Sequence, residues 1–260
     1  MTDPITSSRA IAAEEAFQVT ERALRALFPV ASLSDDQLAT PEWGKAEYLL
    51  NCAADGAPTL ARPGVENLAA QLGTPGLPWV VVEDNKVLVL RWLAHLIGFR
   101  HRAIHLFLDH PHHPDCTFVQ IRSLSKYNSP GLFDMAVGGH VEGLDSREDS
   151  VQRELQEELG LNADHDLNSL FEIGTYNIEI KDFQPNYQEV EHTTVYRATI
   201  EPEAFGRIQF QESEVGGLVL FKRSELEKWM DRSPERFGGG LLDSWPHYGP
   251  AGDLSDSETG

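Results

Sequence analysis

The spacing of apolar residues changes along the chain, and each change marks an element. Between residues 8 and 28, Ala13, Phe17, Leu24 and Phe28 recur at helical spacing, which predicts an amphipathic helix. Helical stretches are also expected over 41–53 and 65–72, separated by turns bearing Pro and Gly. From Pro78 the pattern becomes that of strands. Residues 79–82 read as a short strand, 87–97 as a strand leading into a helix or as a helical piece throughout, and 102–108 as a strand with Ile104, Leu106 and Leu108 on one face. Further strands are expected at 117–122, 171–180 and 189–200, and an apolar run covers 218–221. Residues 224–231 read as a helix capped by Ser224, and the glycines 238–240 open a stretch of loop and tail. The expected organisation is a helical N-terminal extension over 1–75, a mixed domain over 76–240 and a flexible acidic tail over 241–260.

One predicted helix carries unusual chemistry. In the run 153–158, Glu154, Glu157 and Glu158 stand at i, i+3 and i+4, so a helix brings three carboxylates to one face. Like charges so placed destabilise a helix unless cations sit among them. The flanking residues nevertheless specify a helix. Ser146 and Asp149 form a start signal close to a capping box, Val151, Leu155 and Leu159 supply a buried stripe, and Gly160 suits a left-handed end. Mg²⁺ prefers carboxylate oxygens and keeps positions open for phosphate oxygens. Gly138 and Gly139 just ahead allow the backbone close to such a metal or to a diphosphate.

Composition narrows the partners. A net charge of −20 over 260 residues repels nucleic acid and anionic membranes, and requires metal ions if a polyanion is to enter an acidic pocket. Against that background the basic residues Arg122 and Lys126, just ahead of the acidic helix, are candidates for gripping phosphates. Two cysteines, Cys52 and Cys116, lie far apart without ligand-like spacing and read as idle thiols in a reducing compartment. With no secretory pattern and no apolar run long enough to span a bilayer, the expected location is cytoplasmic. The histidines of 110–115 read as a solvated hairpin loop rather than a metal site, because two prolines interrupt them. Glu189 and Glu191, two apart on a strand, point to one face and need a cation or a proton between them.

From Gly139 to Leu161 the residues resemble the signature of the Nudix hydrolases, G-x5-E-x7-R-E-U-x-E-E-x-G-U with U aliphatic. Every fixed position matches except Asp145, which stands where the family has Glu. The wider stretch 79–237 resembles the subgroup containing isopentenyl-diphosphate isomerases, through the residues 100–105, Arg122-Ser123, Lys126, Pro130-Gly131 and Phe133-Asp134. Those isomerases keep a cysteine before a Gly-His pair and a Glu-x-Glu pair on a later strand. Here Gly139-His140 and Glu189-Val190-Glu191 match, while Gly138 takes the cysteine's place and the carboxylate box is intact. Both departures favour hydrolysis over isomerisation.

The resemblance implies an α/β/α sandwich with a mixed sheet and a loop-helix-loop catalytic box. It implies that Glu154, Glu157 and Glu158, with the Gly138 carbonyl, hold Mg²⁺ or Mn²⁺, and that Arg153 orients the carboxylates. Arg122, Lys126 and His140 are then the candidates for binding a small diphosphate substrate. Glu154, Glu191 and Glu214 all remain open as the general base, the first two preferred. An isomerase-like enzyme and a non-catalytic nucleotide-binding module are the alternatives. A homodimer would give the N-terminal helices a surface to bury against.

Overall fold

A computed structural model describes residues 47–60, 73–74, 77–126, 128–184 and 187–249. The helices expected over 8–28 and 65–72 lie outside these residues. Contacts divide the chain into two units: the first has residues 1–102, 140–145 and 177–192, the second 103–139, 146–176 and 193–260. A cut near residue 75 would instead have assigned 76–102 to the mixed domain.

In the first unit, strand β1 (Tyr48–Leu50) occupies part of the stretch expected to be helical over 41–53. Leu49 and Leu50 bury almost fully, and the strand pairs antiparallel with β5 (Lys86–Leu90), matching Tyr48 to Leu90. Pairing with a partner some forty residues away overrides the local helical periodicity, because burial against a neighbouring strand outweighs weak propensity. β2 (Gly73–Thr74) and β3 (Leu77–Pro78) form a short ladder of their own, and β4 (Val80–Glu83) completes the order β1-β5-β4. The β4–β5 turn places Asp84 and Asn85 at φ 46° and 59°, the pattern of a two-residue hairpin that matches strand twist. Helix α1 (Arg91–Ile97) follows β5 directly and ends at Gly98 with φ 69°.

The largest sheet has the order β10-β11-β6-β7-β12, with β8 on β7 and β9 on β6. Its strands are β6 (His101–His110), β7 (His113–Arg122), β8 (Phe133–Met135), β9 (Val137–His140), β10 (Leu167–Gln184), β11 (Tyr187–Ile200) and β12 (Val215–Lys222). This mixed sheet with its helices is the α/β class expected. From Ala103 to Asp109 every residue of β6 is buried, so the alternating Ile104, Leu106 and Leu108 mark one of two covered faces. The His110 hairpin is tighter than a six-residue loop, since His110 already pairs with His113.

Helix α2 (Arg147–Leu159) is the acidic helix, α3 (Ala163–Asp166) is a single turn, and α4 (Arg223–Arg232) and α5 (Gly239–Tyr248) close the described chain. Ser224 does not cap α4. The helix starts one residue earlier, with Lys222 at the cap position and no side-chain cap bond. The glycine-led stretch expected as loop and tail is α5, because Leu241 and Trp245 bury into the core of the second unit with Phe107, Val119, Leu226 and Phe237. Asp134 Oδ1 accepts the Leu241 amide at 3.0 Å and so supplies one of the partners the first turn lacks.

Candidate active site

In the second unit, α2 is built as the sequence pattern demands. Ser146 Oγ accepts from the Asp149 amide at 3.0 Å while the Asp149 carboxylate reaches back to the Ser146 amide, closing a capping box. Val151, Leu155 and Leu159 are fully buried, which fixes the rotation of the helix and hence the direction of its acidic face. At the other end Gly160 has φ 69°, and the amides of Gln209 and Gln211 donate to the carbonyls of Leu159 and Glu158. The same loop is tied to β7 by Ser123, whose Oγ donates to the Glu212 carbonyl at 2.7 Å and whose amide donates to that of Glu214. The helix end therefore delivers Glu214 toward the acidic face.

Of the three box glutamates, Glu158 is buried, Glu154 is nearly so, and Glu157 is partly exposed. Arg153 bridges two of them, donating to Glu154 Oε1 at 2.9 Å and lying 3.7 Å from Glu157 Oε2. Gln120 Nε2 donates to Glu158 Oε2 at 3.3 Å. Burial first, then the neighbouring Glu154 charge, push the Glu158 carboxyl well above its usual range, against the pull of Lys126 and Arg122. This excess of buried negative charge is the environment a hard divalent cation relieves. Gly139 serves the same face by its lack of a side chain: a Cβ there would lie 2.1 Å from Glu154 Oε1. Lys126 pairs with Glu214. Arg122 is committed elsewhere, to Asp134 at 3.1 Å and to the Asn128 carbonyl at 3.0 and 3.1 Å, where it ties the loop after β7. Asp145 is exposed in the turn ahead of α2.

The first unit holds a second cluster, of different chemistry. His95, His101 and His140 place ligand-type nitrogens within 4.8 Å of one another, and His140, Glu189 and Glu191 form an overlapping group of the same size. His95 Nδ1 donates to the Gln188 carbonyl at 3.1 Å and His101 Nδ1 to the Phe99 carbonyl at 2.8 Å. A carbonyl only accepts, so in both rings Nδ1 carries a proton, and Nε2 presents a lone pair once the ring is neutral. His101 Nε2 is buried and lies 3.5 Å from Glu191 Oε1. His140 Nε2 is 3.3 Å from the same oxygen, and His140 Nδ1 is 3.5 Å from Glu47 Oε1. Burial and Arg91 oppose protonation of His140, but Glu191 and Glu47 prevail and lift its pKa to about 9. Burial lowers the pKa values of His95 and His101. The two acids of the Glu-x-Glu pair split: burial and Glu191 raise Glu189, while Glu191, which burial would raise, is held low by His101 and His140.

The profile of the NUDIX domain matches residues 99–237. The chain belongs to the Nudix family. An uncharacterized Nudix hydrolase of Clostridium acetobutylicum is 31% identical over 139 residues, 53% of this chain and 65% of that relative, so the chain spans just under two thirds of its length. An isopentenyl-diphosphate Delta-isomerase of Dinoroseobacter shibae is 30% identical over 144 residues, 55% of this chain and 76% of that one. Among solved structures, the chain is similar to DR0079 from Deinococcus radiodurans at 22% identity and a TM-score of 0.44, covering 55% of this chain and 78% of that one.

Set on the Nudix signature, Gly139, Arg153, Glu154, Glu157 and Glu158 share the second unit with Gly138, Lys126, Arg122 and Glu214. His140 and Glu191, the other expected site residues, share the first unit with the histidine cluster. At Gly138, where the resembling isomerases keep a cysteine, a Cβ would meet Met135 Sδ at 2.9 Å and His105 Cδ2 at 3.2 Å. A side chain there would have to shift Met135 and press on His105. Sequence reading missed His95, His101 and Glu47. The histidines left one signal, two imidazoles on either side of a helix end, but their six-residue separation matches no short ligand pattern, and only folding brings His140 to them.

Proposed function

We propose that this Nudix protein hydrolyses a diphosphate bond in a nucleoside diphosphate linked to another moiety, with Mg²⁺ or Mn²⁺ held by Glu154, Glu157, Glu158 and the Gly138 carbonyl. The observation that carries the reading is the buried Glu158, driven toward protonation by burial and by Glu154, on a helix whose cap, stripe and C-terminus are all built to hold it. Such a donor set fits a hard cation because its oxygens are crowded, anionic and only partly countered by protein cations. When bound, the metal lowers the pKa of a coordinated water and neutralises charge on the departing phosphate. The chain's own residues do the rest. Arg153 holds Glu154 and Glu157 in one orientation, Gly139 leaves room for the Glu154 carboxylate, and Glu154 accepts the proton from the attacking water. Lys126, released from Glu214, is the residue to meet substrate phosphate; Arg122 supports it by fixing the loop between them.

The histidine cluster supports a second metal position of softer character, with His95, His101, His140 and Glu191 as donors. Each of the first two rings is already turned by a carbonyl so that Nε2 faces the cluster. In this reading Glu191 is a ligand rather than the general base, and His140 holds metal rather than phosphate. The crowding at Gly138 weighs against isomerisation, and the intact box weighs against a binding module without catalysis. Among the described residues no helix is long and apolar enough to cross a membrane, and both cysteines are buried thiols outside any disulfide; a reducing cytoplasm suits them.

The test is release of phosphate and nucleotide from a panel of nucleoside diphosphate derivatives with Mg²⁺, Mn²⁺ or chelator, alongside Glu157→Gln. Turnover that needs metal and vanishes in the variant supports hydrolysis and names the substrate class. Turnover of isopentenyl diphosphate alone would replace hydrolysis by isomerisation.

A further inference from the structure

Glu47 lies outside the segment that matches the family profile, which begins at residue 99, yet its carboxylate is buried against His140. We infer that Glu47 is a positioning residue for the histidine cluster, turning the His140 ring so that Nε2 serves the metal position, and that the segment before the Nudix domain is therefore part of the site. The inference rests on the reading of that cluster as a metal centre.

The geometry is one of successive restraints. Arg91, the first residue of α1, grips Glu47 twice: its guanidinium donates to Glu47 Oε2 at 2.8 Å and its amide to the Glu47 carbonyl at 2.9 Å. The other carboxylate oxygen, Oε1, is the one that faces His140 Nδ1. The segment after His140 is stitched to the same strand that follows Glu47. Leu49 bridges Glu142, the Gly143 amide donates to the Tyr48 carbonyl at 2.6 Å, and the Val141 amide donates to the Arg102 carbonyl at 2.9 Å. Glu47 and His140 are thus held in place by their own backbones, and the contact between them is a fixed feature of the first unit.

The three rings then follow one plan. His95 leans on the Gln188 carbonyl, His101 on the Phe99 carbonyl and His140 on the Glu47 carboxylate, each through Nδ1. An oxygen behind the far nitrogen of a metal-binding imidazole fixes its tautomer and raises its basicity as a ligand. For His140 that oxygen is anionic, and it comes from the residue just before β1. His95 also precedes the matched segment, so two of the cluster's parts are added to the Nudix domain by the chain before it.

The experiment titrates Co²⁺ into the 260-residue chain in a background of Mg²⁺, following the visible d–d absorption, for the parent, His101→Ala, Glu47→Gln, Glu47→Asp and Arg91→Met. Circular dichroism of each variant monitors the fold. The expected result is Co²⁺ uptake by the parent that His101→Ala abolishes, an affinity lower by roughly 10- to 100-fold in Glu47→Gln with an altered band shape, and a smaller loss in Glu47→Asp and Arg91→Met. Equal uptake by the parent and His101→Ala would remove the metal reading beneath the inference. A parent that binds through its histidines while Glu47→Gln binds as tightly, with an unchanged spectrum, would overturn the inference alone. So would loss of the fold in both Glu47 variants, since Glu47 would then be a structural residue.

Discussion

The carboxylate box of the second unit and the histidine cluster of the first handle buried charge in opposite ways. In the box, Glu158 is buried beside Glu154, and the cations nearby do not offset the combined cost, so its carboxyl is driven toward the neutral form. In the cluster, Glu47 and Glu191 are buried as deeply but held ionised, Glu47 by Arg91 and His140, Glu191 by His101 and His140. One site is short of positive charge and the other has arranged its own. The box thus carries buried carboxylates that its own cations do not offset, whereas the cluster, on the proposed metal reading, would give up a proton to accept a cation.

The sharpest way to break this contrast is to neutralise the box. Glu158→Gln removes a charge the fold already disfavours, so the protein should keep its structure while metal-dependent turnover falls on the order of a hundredfold or more, measured as kcat with saturating Mg²⁺. Gly139→Ala should act on the same site by space alone, since its methyl group would occupy the place of the Glu154 carboxylate. Comparable loss of activity with an unchanged far-ultraviolet spectrum is expected, and normal activity would show that Glu154 does not need its present position.

In the cluster, pH makes the comparison. His140 has its folded pKa raised from 6.5 to about 9, so its contribution to stability is complete below pH 6.5 and is lost as pH rises through 9. For the metal-free protein this amounts to at most about 3 kcal/mol. Thermal unfolding in chelator should therefore show a falling Tm between pH 6.5 and 9, and His140→Gln should flatten that limb. Glu47 and Glu191, with lowered values, work the other way: their contribution is present above the usual glutamate pKa and is lost as the solution becomes more acidic. A Tm that rose through the alkaline window would mean that His140 is not held as an imidazolium.

The smallest effect expected is at the cap of α2. Ser146→Ala removes the Oγ half of the capping box, leaving the residue-146 amide on the Asp149 carboxylate, and should cost about 1 kcal/mol, a fall of a few degrees in Tm. Because Val151, Leu155 and Leu159 still fix the helix rotation, kcat should change little. A large drop in activity would show that the box depends on its helix start more than on its buried stripe.

How much of this was legible before folding differs between the two sites. The α2 site is local. Its carboxylates, cap, stripe and terminal glycine fall within one run, and helical periodicity alone converts that run into geometry. Much of the strands β4, β6, β7, β10 and β11 was visible in the same local way, as apolar runs of strand type. The misreadings were all places where a distant partner outvoted the neighbours. β1 is a strand because β5 pairs with it, and α5 is a helix because Leu241 and Trp245 find a core waiting. The cap of α4 lies elsewhere because β12 runs up to Lys222 and hands over directly to the helix.

The sequence by itself determined the acidic helix, the family and the grouping of the box carboxylates, since these depend on residues within a few turns of one another. It also determined that Glu189 and Glu191 share a face and must be compensated. Only the tertiary structure decided by what. The compensating His101 and His140, the ring of His95 and the carboxylate of Glu47 come from four separate segments, and no periodicity relates residues whose proximity is created by strand pairing and chain reversal.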